Sequence, residues 1–303
     1  MPLGLLTGLG AAFAWGTMDI LSALGGRRIG SLRVTAAIQL IGATFVIALA
    51  IGTATPFSTD PFVLIGGSLV GLAGAGAYLA YFTGLRIGPI SVVSGVVAAY
   101  GGLTVVLAVV IRGETLNQLQ AIGAAIATLG VILTGVRFDG SLRGTKLASR
   151  GVGFAILALV LFATMSIGSD IVIDHASWLQ VLVVSRSATA LLTVATLALA
   201  LTVARRVARP VLIGESGRDD GMGLHDRRVI GTVALAGLLD VLGLIAFSYG
   251  LEHAETWLVG LASSFGPAIT ILIAVAAMGE RLRGIQWAGV AGILAGMLAI
   301  GWP

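Results

Sequence analysis

The sequence predicts an all-α membrane protein with ten transmembrane helices arranged as two inverted five-helix repeats. Three observations predict it. Of 303 residues, 57% are hydrophobic and 11% charged, with a mean hydropathy of +1.03. A soluble domain carries about 25% charged residues, so water is the wrong solvent for most of this surface. The apolar residues fall into runs of about 20, the length that crosses a bilayer at 1.5 Å rise per residue. Finally, residues 84–136 recur at a constant offset of 166, with Gly84/Gly250, Leu85/Leu251, Thr104/Thr270, Gly113/Gly279, Glu114/Glu280, Gln120/Gln286, Gly123/Gly289 and Gly130/Gly296 in register. A repeat of membrane-length segments marks a duplicated transporter.

In chain order the spans are expected over 2–24, 34–53, 61–85, 89–111, 117–136, 151–173, 178–204, 229–250, 255–278 and 285–302. Short gaps between them suit antiparallel neighbours. Pro89 suits the first turn of a helix, where its missing N–H is not needed, and marks the fourth start. The first parts of the repeats align at a different offset, 147, which pairs Thr17-Met18 with Thr164-Met165 and Gln39 with Arg186. The difference is a 19-residue insertion in the polar stretch 205–228, read as an exposed loop. The chain therefore divides into a first repeat over 1–136, a cytoplasmic linker over 137–150 and a second repeat over 151–303. Five spans per repeat is an odd number, so the second copy enters the membrane from the opposite side. Glycine is 44 of 303 residues, about twice its usual share. Gly67-x-x-x-Gly71 and Gly292-x-x-x-Gly296 read as seams where helix backbones approach closely.

The charges set an orientation. Of 18 Lys plus Arg, the gaps after odd-numbered spans hold 16, the gaps after even-numbered spans hold only Arg112, and Arg186 lies inside a span. Lys and Arg stay on the cytoplasmic side, which places both termini outside. Met1-Pro2-Leu3 carries no charged side chain, unlike the positive start of a cleaved signal peptide. Trp178, Trp287 and Trp302 fall at span ends, as interfacial anchors do. Arginines confined to membrane loops read as topology determinants, so no nucleic-acid partner is expected. The absence of cysteine excludes disulfides, thiolate catalysis and thiolate metal sites. His175, His225 and His253 are too scattered for a metal site, no Walker motif is present, and Gly74-x-Gly76 lies within a span. No cofactor is expected.

A charge within the hydrocarbon needs a reason, since it costs about 2.5–3.5 kcal/mol even on the lenient insertion scale. Asp240 is eleven residues into the eighth span and Arg186 eight residues into the seventh. They read either as an anion-binding group with its partner or proton carrier, or as a buried ion pair that fixes helix packing. Asp19, late in the first span, either titrates as substrate leaves or reaches water at the interface. Asp170, with Asp174 and His175, reads as interfacial. Gln39, the repeat equivalent of Arg186, offers a neutral hydrogen bond to substrate or to a neighbouring helix. Ser263-Ser264 before Gly266-Pro267 would free helix carbonyls, because proline removes a donor and kinks the helix, and Tyr100-Gly101-Gly102 is the matching weak point. Glu114 and Glu280 recur at membrane edges, where a salt bridge or a helix cap explains them better than catalysis.

Trp15-Gly16-Thr17 in the first helix, Arg186 in a second helix of a repeat, Gly-Leu closing the third, and the doubled elements Gly113-Glu114-Thr115-Leu116 and Gly279-Glu280-Arg281-Leu282 resemble the drug/metabolite transporter superfamily in its ten-helix EamA branch. The resemblance covers nearly the whole chain. It implies a multi-pass inner-membrane secondary transporter of small organic metabolites, an exporter of amino acids or related compounds, working by alternating access. Protons are the candidate coupling ion and Asp240 or Asp19 the carriers. It also implies a central cavity between the halves, lined in part by the third, fourth, eighth and ninth helices. Tyr78, Tyr81, Tyr100, Phe247, Tyr249 and Trp257 lie on these helices and line that cavity or else pack or face lipid. Family members are commonly drawn with both termini cytoplasmic, against the charge count here. A passive channel would show a continuous polar stripe and a membrane-embedded enzyme a cluster of chemical groups at one depth; the spans show neither.

Overall fold

The computed structural model describes residues 2–87, 93, 96–135, 145–207, 226–266, 268–269, 273 and 284–301. Helices account for nearly all of them, and no strand occurs among the described residues. We label the α-helices α1 (Pro2–Ile29), α2 (Ser31–Gly52), α3 (Pro61–Ile87), α4 (Tyr100–Leu107), α5 (Gln118–Gly135), α6 (Thr145–Ile173), α7 (Trp178–Val207), α8 (Arg227–His253), α9 (Thr256–Ser263) and α10 (Gly284–Gly301). Six of these, α1, α2, α3, α6, α7 and α8, are long and apolar enough to cross a membrane. Val96–Arg112, Gln118–Leu133 and Trp287–Ile300 are shorter apolar stretches. Helix α6 begins at Thr145 and so takes in the end of the expected linker. The expected start at Pro89, the second half of the ninth span and most of the 205–228 loop lie outside the described residues.

Local chemistry starts the helices where the sequence changes from polar to apolar. Asp60 accepts from Phe62 N at 2.8 Å ahead of Pro61, an N-cap followed by proline in the first turn. Asn117 and Gln120 form a reciprocal capping box at the start of α5, with bonds of 2.8 and 2.9 Å. Ser177 and Gln180 repeat the device before α7. Asp226 caps α8 through Arg228 N. Gly30 turns the chain between α1 and α2 with φ 86°, a left-handed conformation that favours glycine.

The helices then pair across the chain: α1 on α8, α3 on α6, α5 on α10, α2 on α7 and α4 on α9, with α3 also on α7 and α2 on α8. The α5–α10 seam is glycine against backbone. A Cβ on Gly123 would stand 2.8 Å from Gly296 O, and one on Gly130 would stand 2.7 Å from Gly289 O. The Gly67/Gly71 seam likewise lets α3 lie against Val184 and Ser185 of α7. Where helices do not meet, large apolar side chains face outward, as Val110 and Leu191 do. Such a surface suits lipid and no other solvent.

Candidate functional site

The polar centre is built from five helices. Asp240 occupies the middle of the 27-residue α8 and is fully buried. Arg186 extends from α7, also buried, and its Nη2 forms an ion pair and hydrogen bond with Asp240 Oδ2. From α3, Tyr78 donates its hydroxyl proton to Asp240 Oδ1 at 3.1 Å. Trp15 of α1 donates from Nε1 to the Asp240 carbonyl at 3.3 Å and packs on Phe247. From α2, Ile38 O lies 3.5 Å from Arg186 Nη2, and the missing Cβ of Gly42 leaves the space that the guanidinium fills. Both carboxylate oxygens are therefore matched by donors. That is the condition under which a buried charge persists in a medium without water.

Two polar atoms at this centre lack partners. Gln39 Oε1 and Arg186 Nε are buried and make no hydrogen bond. Asp19 sits one helical turn beyond Trp15 on α1, half-buried and within Coulombic reach of Asp240, Tyr78 and Tyr100. A cavity of about 30 Å³ opens beside Arg186, lined among others by Tyr78, Met165, Ser169, Ser185, Thr189 and Ser248. It has room for a water or two, given roughly 10–15 Å³ per water, and not for a metabolite.

The structure thus brings together Arg186, Asp240 and Tyr78, with Gln39 and Asp19 close by. The remaining candidates lie elsewhere. Tyr100 bonds Ser263 Oγ at 3.0 Å across the α4–α9 contact, and Phe162 bridges it to Tyr78 with ring centroids 5.8 and 5.3 Å away. Ser264 turns its hydroxyl back to Leu261 O and fills the space left by Gly101. Tyr81 packs with Val93, Ala155 and Ala158 between α3 and α6. Tyr249 stacks on His253 and meets Trp178 at the end of α8, more than a third exposed. Trp257 is fully buried in the core beside Leu258 and Leu261, its Nε1 bonded to Glu255. Pro267 and Glu280 lie outside the described residues. Ser185, Thr189, Ser169 and Ser248 were not singled out from sequence. The available signal was the one-turn spacing of Ser185 and Thr189 around Arg186 on α7.

A second charged cluster sits at the helix ends. The last turn of the fourth helical segment widens to a π-helix (Ala108–Arg112) before Gly113 reverses the chain with φ 69°. That turn carries Arg112 to Asp170 at 2.5 Å and to Asp174 at 2.8 Å. It also carries Glu114 to α9, where its two oxygens accept from Thr256 N and Trp257 N at 2.8 and 2.9 Å. Of the two readings open for Glu114, the helix cap is the one realised. Asp170 lies in this helix-end cluster with Asp174, buried beneath Arg112 while Asp174 faces outward.

The family model for the EamA-like transporter family matches residues 2–136 and again 149–302. The chain belongs to the EamA-like transporter family. This EamA protein is a multi-pass membrane protein of a transporter family. It is 26% identical over 225 residues to a probable amino-acid metabolite efflux pump of Salmonella typhimurium, a match spanning 73% of this chain and 71% of that one. A solved crystal structure of 19% identity covers 98% of this chain and 96% of its own with a TM-score of 0.76, so the fold is shared.

Proposed function

We propose that this EamA protein is a secondary carrier of the cell membrane that exports amino acids or related small metabolites by alternating access, with protons as the coupling ion. In this reading ten spans form two inverted halves, 1–136 and 151–303, joined by the linker 137–150, with both termini outside. The pairing of helices supports the inversion. Exchanging each of α1–α5 for the helix five places later turns the contact α1–α8 into α6–α3, and α2–α8 into α7–α3, which are also present. The contacts α2–α7, α4–α9 and α5–α10 map onto themselves. Gly123 meets Gly296, the counterpart of Gly130, and Gly130 meets Gly289, the counterpart of Gly123, as a two-fold axis in the membrane plane requires.

The observation that carries the function is the Arg186–Asp240–Tyr78 centre, a charged group buried midway along a membrane helix where the two halves meet. Intramembrane ionisable groups mark substrate paths and proton relays. A proton arriving on Asp240 removes the charge that holds Arg186 and frees the guanidinium for a substrate carboxylate; Asp19 is the second group placed to take part. The relative's printed function, amino-acid metabolite efflux, supports the substrate class. In reconstituted vesicles, Asp240→Asn and Asp19→Asn are each expected to abolish flux driven by a pH gradient. A variant with unchanged flux removes its residue from coupling, and pH-independent flux in the wild type ends the proton-coupled reading.

A further inference from the structure

We infer that Gln39 and Arg186 together read the zwitterionic head of a neutral amino acid: the guanidinium Nε–H takes the carboxylate and the Gln39 carbonyl oxygen takes the ammonium. The inference holds only if the chain carries amino acids. It starts from two atoms that break the rule that buried polar groups find partners, Gln39 Oε1 and Arg186 Nε. One is an acceptor and the other a donor, so the two together ask for a ligand of definite chemistry. A ligand that fills both must offer an acceptor and a donor close together. Charge makes the fit specific: the guanidinium prefers an anionic acceptor in bidentate or side-on geometry, and an amide oxygen can accept from an ammonium.

Position agrees with chemistry. Gln39 is next to Ile38, whose carbonyl meets Arg186 Nη2, and one turn before Gly42, whose backbone lies against the Nη2–Nε edge. Gln39 thus lies on the stretch of α2 that meets Arg186. The two are also counterparts in the two repeats at offset 147, so they flank the axis on which the halves would part. Both side chains are buried here, and the Gly42 backbone covers Arg186 Nε. Asp240 does not compete for the ammonium: while charged its oxygens are occupied by Arg186 and Tyr78, and once protonated it carries no charge. Beyond Arg186 the cavity wall is Val70, Leu244, Phe247 and Met165 with a few hydroxyls, and it contains no acid. Once opened, such a lining suits a neutral, largely apolar side chain.

The test is competition binding to the detergent-solubilised full chain. A panel of neutral L-amino acids is measured first, and then the des-amino acid and the decarboxylated amine of the tightest binder. The wild type is expected to bind the amino acid roughly 10- to 100-fold more tightly than either half-analogue, the worth of a hydrogen bond to a charged group. Gln39→Met keeps the side-chain volume and loses the acceptor; it should erase the preference over the des-amino acid and leave the preference over the amine. Arg186→Lys keeps a cation for Asp240 and lacks Nε–H, and should do the reverse. A merely structural role would weaken all three ligands together and leave both ratios unchanged, which overturns the inference. So does a wild type that binds the amino acid no better than its halves, even if neither variant folds. Failure of the whole neutral panel, with flux of another metabolite intact, overturns this assignment and leaves the carrier reading standing.

Discussion

Two arginine–aspartate clusters stand out among the described residues, and the contrast between them is one of solvent. Arg186 and Asp240 retain 2% and 0% of their side-chain exposure, while Arg112 and Asp174 retain 27% and 50%. Asp170 stands between these limits, bonded to the same Arg112 but only 7% exposed. The same pair of opposite charges attracts strongly where water is absent and weakly where it is present. Removing one partner of a buried pair leaves the other uncompensated, whereas a rim pair is replaced by water. The central pair therefore governs folding and, by our proposal, transport, and the rim cluster adjusts the helix ends.

Three substitutions put that ranking to work. Arg186→Met should have the largest effect, lowering stability by about 3–5 kcal/mol because Asp240 is left alone in an apolar interior. Thermal unfolding in detergent measures it, and Arg186→Met with Asp240→Leu should recover most of the loss without recovering transport. Asp170→Asn should follow at roughly 1–3 kcal/mol, since a buried acceptor is weakened while Arg112 keeps Asp174. Asp174→Asn should be smallest, about 0–1 kcal/mol and vanishing in high salt. An Asp174 variant as unstable as the Arg186 variant would break the solvent argument. A graded series with Asp170 in the middle would sharpen it.

Much of this was legible in the chain. Charges within apolar helices are conspicuous because lipid penalises them, so Arg186 and Asp240 could be named and their pairing considered. The caps at Asp60, Asn117 and Ser177 lie where polar residues give way to apolar runs. Directions around the helices were less legible. In water an amphipathic face shows which side is buried, but lipid is as apolar as the core and erases that mark. Tyr249 and Trp257 accordingly share the composition of cavity residues, yet one sits at a helix end and the other in the core. Thr189 and Ser185 went unnoticed because small hydroxyl residues serve tight packing and binding alike. The cap that Glu114 places on α9 joins residues 142 apart in sequence, a contact no local pattern encodes.

The glycine seam between α5 and α10 has a consequence for how this chain can change over time. Gly123, Gly130 and Gly296 each face main-chain atoms that no rotamer can move aside. Even a methyl group at one of them forces the helices apart along their shared length. Repacking of side chains cannot absorb a substitution there.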